Sequence, residues 1–372
     1  MRIGISCYPT FGGSGVIASE LGMGLAERGH KVHFITYAVP GRLNVNLPNI
    51  YFHQVTVPDH PLFRYHPYSL ALASKIAEVT ENEGLELIHA HYAIPHASAA
   101  LLAKDMLNDR LKVIITMHGT DVTLVGKNTS FMPIVKYTLN KADAISAVSI
   151  YLKNEIRCTF DCDRNISVIN NFINPQDYNS RNRNEIRSLF ACEGEKLLIH
   201  VSNFREVKRI EDVIGIFLCV RKRINTKLLL VGEGPDLNKA VQMAGEKGFA
   251  SDVITLGNRK NVNEIIAASD VLLLPSEKES FGMVALEAMA CGIPSIVTNS
   301  GGLPEVVDDG VTGYLSPVGD VEGMTNRVIE LLSDEEKRQE MGRNGRLRAQ
   351  ERFNIKDAID QYEELYRQAI MN

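Results

Sequence analysis

Two carboxylates eight residues apart, Glu279 and Glu287, frame the segment Glu-Ser-Phe-Gly-Met-Val-Ala-Leu-Glu. The first precedes a Phe-Gly turn; the second falls inside a strongly helix-forming run that continues Ala-Met-Ala-Cys-Gly-Ile-Pro. Just upstream, Val271 to Leu274 is a short apolar run closed by Pro275, which reads as a buried strand. The order is therefore strand, loop with a carboxylate, glycine, and helix with a second carboxylate. A helix N-terminus offers unpaired N–H groups and partial positive charge, which suits a phosphate. Carboxylates repel a phosphate but accept hydrogen bonds from hydroxyl groups. Phosphate plus several hydroxyls describes a nucleotide-sugar. The blander reading is a surface glutamate and a helix glutamate with no shared role.

Three further constellations fall at the ends of apolar runs. Gly12-Gly13-Ser14-Gly15 follows the first run and precedes a helical stretch from Val16 to Arg28. Such glycines allow close backbone approach to a ligand or serve a tight structural turn. The spacing is not G-x-G-x-x-G, since positions 17 and 18 are Ile17 and Ala18, so a dinucleotide site is disfavoured. His118-Gly119-Thr120-Asp121 follows Lys112 to Met117 and suits the holding of sugar hydroxyls; no Ser–His pair supports nucleophilic catalysis. Ser202 to Arg209 follows Lys196 to Ser202 and carries Arg205, Lys208 and Arg209, cations that would offset a diphosphate leaving group. The turns 232–235 and 301–305 follow strands as well. The second either lies near the phosphates or is a helix entry.

These groups need a frame. Strand-like runs at Arg2–Cys7, Lys31–Tyr37, Leu87–Ala90, Lys112–Met117 and Ala144–Val148 alternate with helical stretches. After a break the pattern resumes at Lys196–Ser202, Lys227–Val231, Val253–Leu256, Val271–Leu274 and Pro294–Val297. Such alternation predicts α/β architecture with two doubly wound parallel sheets. The turn-rich run from Asn170 to Asn179 reads as the linker, giving domains 1–170 and 171–354. The segment 355–372 is amphipathic and suited to packing on either domain. Ligands of open α/β sheets bind at the carboxyl ends of the strands, so a cleft between facing domains is the expected site.

Composition excludes several classes. The 372 residues are 45% hydrophobic and 23% charged, ordinary for a globular protein and long enough for two cores. A net charge of −5 gives no footprint for nucleic acid or an anionic membrane. No apolar run approaches the ~20 residues that span a bilayer. Six scattered cysteines read as reduced, buried thiols of a cytoplasmic protein. Cys158 and Cys162 lack two further ligands nearby, and Asp161-Cys162-Asp163 lies apart from the other motifs, so no metal and no cofactor is expected. A homo-oligomer is left open by these numbers.

Glu279 to Pro294, with 301–305 and 309–314, resembles the retaining, nucleotide-sugar-dependent glycosyltransferases of family 4, which have two Rossmann-like domains in the GT-B fold. The resemblance covers nearly the whole chain. Residues 9–15, 89–92, 171–173 and 202–205 resemble the branch that moves N-acetylglucosamine from UDP-N-acetylglucosamine to L-malate in bacillithiol biosynthesis. It implies catalytic roles for His118 and Glu279 at the donor sugar and for Lys208 at the diphosphate. It implies donor contacts from Gly13, Ser14 and Gly15, from the backbone of Phe281, Gly282 and Met283, from Glu287 at the ribose and from Arg259 near the uracil. Many members carry arginine five residues before the lysine; here that position is Asn203, and Arg205 is the nearest arginine. Acceptor candidates for a dicarboxylate are Arg64, Tyr92, Thr120, Lys127 and Lys136. Another acceptor for the same transfer, a UDP-sugar epimerase of similar fold and a non-catalytic sugar-nucleotide sensor are the competing readings.

Overall fold

The computed structural model describes residues 1–371 apart from 11, 58, 60–63, 124–125 and 179–181. Phe11 of the glycine-loop motif and Asn179 of the turn-rich run lie outside them. The chain divides into two units: Met1–Phe172 with the segment from Ile355, and Ile173–Asn354.

The first unit holds strands β1 (Arg2–Ser6), β2 (Lys31–Thr36), β3 (Ile50–Gln54), β4 (Leu87–His91), β5 (Lys112–Met117), β6 (Ala144–Ala147) and β7 (Ile166–Val168). Its helices are α1 (Ser14–Glu27), α2 (Tyr68–Glu83), α3 (Ser98–Met106), α4 (Thr120–Thr123), α5 (Met132–Lys141) and α6 (Ile150–Phe160). The strands pair in parallel in the order β3-β2-β1-β4-β5-β6-β7. β4 is buried at every residue and β5 at all but its first, as strands covered on both faces must be. The order reverses between β1 and β4, so the loops after these strands diverge and leave a crevice at their carboxyl ends.

The second unit repeats the plan. Strands β8 (Lys196–Val201), β9 (Thr226–Val231), β10 (Val253–Gly257), β11 (Val271–Leu274), β12 (Ser295–Thr298) and β13 (Gly313–Ser316) alternate with helices α7 (Arg183–Ser188), α8 (Ile210–Arg221), α9 (Leu237–Glu246), α10 (Val262–Ala268), α11 (Met283–Ala290), α12 (Leu303–Val306), α13 (Val321–Ser333) and α14 (Glu335–Arg352). The parallel order is β10-β9-β8-β11-β12-β13. Here the reversal falls between β8 and β11. Leu198, Leu228, Leu230, Val271, Leu273 and Ile296 meet α8 and α13 in one fully buried core. The segment read as a linker is built into the structure: Phe172, Ile173 and Tyr178 are buried, and Ile173 donates its N–H to the Phe353 carbonyl at 2.9 Å.

The last helix, α15 (Ile355–Met371), belongs to the first unit. A Cβ at Gly24 of α1 would lie 2.3 Å from Ile359, so glycine is what lets the two helices approach. Tyr362 and Tyr366 are buried, each worth about 1.5–3 kcal/mol of apolar burial. Their hydroxyls decide the docking partner: Tyr366 lies 2.7 Å from His89 Nδ1, and Tyr362 lies 3.3 Å from Thr116 Oγ1. At the rim, His30 and Arg28 reach the Glu363 carboxylate at 2.8 and 3.2 Å.

The thiols divide differently from expectation. Cys7, Cys162 and Cys291 are buried, but Cys158, Cys192 and Cys219 are exposed. Cys158 and Cys162 flank the end of α6, and the chain's left-handed turn at Asp161 turns only the second inward. Among the described residues no helix is long and apolar enough to cross a membrane.

Candidate active site

In the second unit the crevice loops bring two predicted residues into contact. The loop after β8 carries Lys208 at the end of a single turn of 3-10 helix, and the loop after β11 carries Glu279. Lys208 Nζ donates to Glu279 Oε1 at 2.5 Å, with both side chains largely shielded. Ser276 Oγ donates to the same oxygen at 2.9 Å, and the Glu277 N–H donates to the Val207 carbonyl at 2.8 Å, tying the loops together. Beneath them His200 is buried between the Leu273 carbonyl, 2.9 Å away, and Ser202 Oγ, 2.8 Å away. Burial first, then the nearby Lys208 charge, push its pKa down to about 4 against the pull of the Leu273 carbonyl, so it is a neutral brace.

Glycines set the outline of this crevice. Gly301 has φ +64°, and a Cβ there would lie 1.9 Å from the Glu279 carbonyl oxygen; one at Gly302 would lie 2.5 Å from that of Ser280. The Gly302 N–H donates to Glu279 O at 2.8 Å. This diglycine is thus both the entry to α12 and the support of the Glu279 loop. Gly282, with φ +102°, starts α11 without a side-chain cap and with no acidic residue in the first turn, which leaves its N–H groups for an anion. Glu287 lies one turn into that helix, on the face of Met283. The Phe281 ring is buried edge-on against Phe353, so only its backbone is available to a ligand. Of the remaining cations, Arg209 is held by Asp212, while Arg205 and, after β10, Arg259 are exposed.

In the first unit the crevice is lined by neutral groups. Gly13, with φ +58°, precedes α1, and a side chain there would meet open space. Gly15 differs: its Cβ would lie 2.6 Å from the Thr10 carbonyl, so packing alone demands glycine there. After β4, Tyr92 takes φ +83°, and its hydroxyl interacts with the side chains of Ser14 and Thr120. His118, after β5, stacks on His91 at 5.1 Å and shares a 2.9 Å hydrogen bond between its Nε2 and His91 Nδ1. Burial pushes His118 down to about 3, so both rings are neutral. His91 Nε2 is buried with no partner among the described residues. A proton there would be an unsatisfied donor, so the favoured arrangement has His91 Nδ1–H donating and His118 carrying its own proton on Nδ1.

Asp121 closes the His-Gly-Thr-Asp motif, and its role emerges only from the fold. Its buried carboxylate accepts N–H bonds from Gly119 at 2.9 Å, His118 at 3.3 Å and Ala93 at 3.4 Å, joining the loops after β4 and β5. Burial raises its pKa to about 6, opposed by those same N–H groups. An aspartate two residues after a glycine in a short loop is the turn-forming signal that marks it. Of the acceptor candidates, Tyr92 and Thr120 belong to this network. Lys127 follows Gly126, which packs on the Asp121 carbonyl, and is exposed. Lys136 lies on α5, and Arg64 is exposed with its guanidinium over the ring of its neighbour Tyr65.

Uncapped helix N-termini at the switch points, a shielded lysine–glutamate pair and a network of neutral hydrogen-bonding groups suit group transfer from a phosphate-linked sugar. Residues 11–177 match the family Glycosyltransferase Family 4, and residues 182–348 match Glycosyl transferases group 1. The chain belongs to the family 4 glycosyltransferases of the GT-B fold. It is 47% identical over 367 residues to an N-acetyl-alpha-D-glucosaminyl L-malate synthase from Bacillus anthracis, covering 98% of this chain and 96% of that one. An uncharacterized glycosyltransferase of Methanocaldococcus jannaschii is 30% identical over 348 residues, covering 91% and 90%. In fold the chain is similar to Anabaena HepE in complex with UDP and glucose, with TM-score 0.83, 19% identity and 98% of each chain covered.

Proposed function

We propose that the chain transfers N-acetylglucosamine from UDP-N-acetylglucosamine to the hydroxyl of L-malate, with retention at the anomeric carbon, as a step of bacillithiol synthesis. The observation that carries this reading is the 47% identity, over nearly the full length of both chains, to the Bacillus anthracis synthase. The bond from the anomeric carbon to the diphosphate breaks, and UDP leaves with the electron pair. The malate oxygen bonds to the same face of the sugar, and its proton passes to the departing phosphate oxygen. In this reading the protein positions substrates and stabilises developing charge rather than supplying a covalent nucleophile.

Lys208 takes the diphosphate charge. Its pairing with Glu279 aims the ammonium before substrate arrives, and the exchange of partners frees the carboxylate for donor-sugar hydroxyls. The N-terminus of α11 receives phosphate oxygens through the backbone of Phe281, Gly282 and Met283, and Glu287 holds ribose hydroxyls. Arg205 adds charge at the rim, and Arg259 lies by the uracil. In the first unit, Gly13 to Gly15 cover the diphosphate and the His118 Nδ1–H donates to a sugar hydroxyl. For malate, Thr120 and Lys127 are the first candidates, because both adjoin the loop braced by Asp121. Tyr92, Lys136 and Arg64 are the remaining ones.

The test is purified protein with UDP-N-acetylglucosamine, with and without L-malate, following UDP release and the anomeric configuration of the product. Malate-dependent UDP release with an α-linked product is expected. Release with a different acceptor would reassign the acceptor and keep the donor half. Acceptor-independent isomerisation, or binding without turnover, would overturn the reading.

A further inference from the structure

The second unit carries a cavity of about 320 Å³ remote from the crevice just described. Lys196 opens β8, Asp270 immediately precedes β11 and Pro294 immediately precedes β12, so this cavity lies at the amino ends of the strands. Lys208 and Glu279 follow the carboxyl ends of β8 and β11. The six residues of β8 alone span about 20 Å. The volume falls within the range of small-molecule sites.

Its charged lining is Arg183, Arg187, Lys196 and Arg338 against the carboxylates of Glu195, Asp270 and Glu335, a small cationic excess, and two of the guanidiniums are incompletely hydrogen-bonded. Arg183, Arg187 and Arg338 surround one carboxylate, that of Asp270, which is 3% exposed. Arg187 is committed: it donates to Asp270 Oδ2 at 2.9 Å and to the Glu195 and Ala268 carbonyls at 2.6 and 2.8 Å. Asp270 Oδ2 also accepts the Leu197 N–H at 2.8 Å. Arg338 is only 7% exposed, yet among the described residues the single hydrogen bond of its guanidinium is to the Leu331 carbonyl at 3.2 Å. Its Nη2 stays 3.7 Å from Asp270 and 3.8 Å from Glu335, beyond hydrogen-bonding reach. Arg183 makes one bond, to the Ser269 carbonyl at 3.5 Å. A guanidinium has five donors, and leaving a buried one largely unbonded is costly unless water or a ligand answers it.

We propose that this cavity is a binding site for a compact oxyanion, a small molecule or ion bearing a carboxylate or phosphate group. Planar guanidinium forks recognise such groups in bidentate fashion. Arg338 and Arg183 supply the donors, Lys196 adds charge, and Asp270 with Arg187 fixes the geometry of the wall.

Calorimetric titration of the full chain with citrate and, separately, inorganic phosphate, at constant ionic strength against a chloride control, tests this. Expected is saturable binding of at least one probe, weakened about tenfold or more in Arg183→Ala and unchanged in Lys208→Ala. Arg183 is exposed, so its replacement leaves the fold and basal turnover intact; Lys196→Ala supplies a second variant that weakens binding. No saturable binding above the chloride control overturns the proposal. So does binding that survives both cavity variants, or binding that disappears in Lys208→Ala, which would place the anion in the donor crevice. Citrate binding without phosphate binding identifies the carboxylate class, and the reverse identifies the phosphate class.

Discussion

At the carboxyl end of the first sheet stand His91, His118, Tyr92, Thr120 and Ser14, all uncharged, over a buried Asp121 fully engaged by backbone N–H groups. At the equivalent end of the second sheet stand a shielded Lys208–Glu279 pair and an uncapped α11. One topology has been given opposite electrostatic contents. Neutral donors and acceptors discriminate hydroxyl patterns by direction without drawing in anions, whereas a lysine beside a helix N-terminus favours phosphate charge. In the proposed function the first crevice therefore suits hydroxyl recognition and the second suits phosphate recognition. The glycines follow the same division: open at Gly12 and Gly13 in the first unit, pressed on the backbone at Gly301 and Gly302 in the second.

The strongest way to break this contrast is Lys208→Ala. It should lower kcat/KM for UDP release by about 10²–10³-fold, as for loss of one preorganised charge-stabilising group. Near-normal turnover would sink the charged assignment of the second crevice.

A smaller loss tests the neutral crevice. His91→Leu should reduce turnover about tenfold, because it leaves His118 Nε2 unpaired and its tautomer unspecified. His91→Asn, which can place a donor near the Nδ1 position, should recover part of the loss. Equal losses in both variants would show that His91 only fills space.

Acid should separate the units. Nine of the ten histidines lie in the first, and burial lowers His89, His96 and His118 to about 3. Unfolded histidines protonate near 6.5, so unfolding takes up protons below that pH and stability is lost as the pH falls towards about 3. Asp121 acts in the opposite sense. Its raised pKa gives a contribution that is complete below 3.8 and is lost as the pH rises through about 6. One carboxyl opposes several imidazoles, so acidification weakens the first unit on balance. The second unit has only His200, lowered to about 4. Hydrogen exchange, corrected for intrinsic rates, should show β4 and β5 losing protection before β8 and β11 between about pH 6 and 4. The reverse order would contradict the neutral-crevice assignment.

The least effect is expected at Gly12. Gly12→Ala meets open space and should change turnover by about twofold or less, whereas Gly301→Ala must displace the Glu279 loop and costs about 1–3 kcal/mol in local strain. Thermal melts and turnover of the pair measure that difference. Equal effects would remove the distinction between an open glycine loop and a packed one.

The alternation of strands and helices was legible because inner strands of parallel sheets are continuous apolar runs. The three strands that escaped notice, β3, β7 and β13, are all at sheet edges. β7 has three residues, and β3 is partly exposed. Short, half-covered strands carry too few apolar positions to signal themselves. His118 was visible as a polar residue directly after such a run, and Lys208 and Glu279 as charged residues in the loops that follow β8 and β11.

By itself, then, the sequence determined the two-sheet plan and the residues at each strand's end, since hydrophobic periodicity and glycine placement are local properties. Only the tertiary structure decided that Lys208 and Glu279, 71 positions apart, form one pair. It alone decided that α15 docks on the first unit, where His89 and Thr116 answer its tyrosine hydroxyls. Both outcomes depend on strand order, which decides which loops diverge at a switch point and is a long-range property that no local pattern encodes.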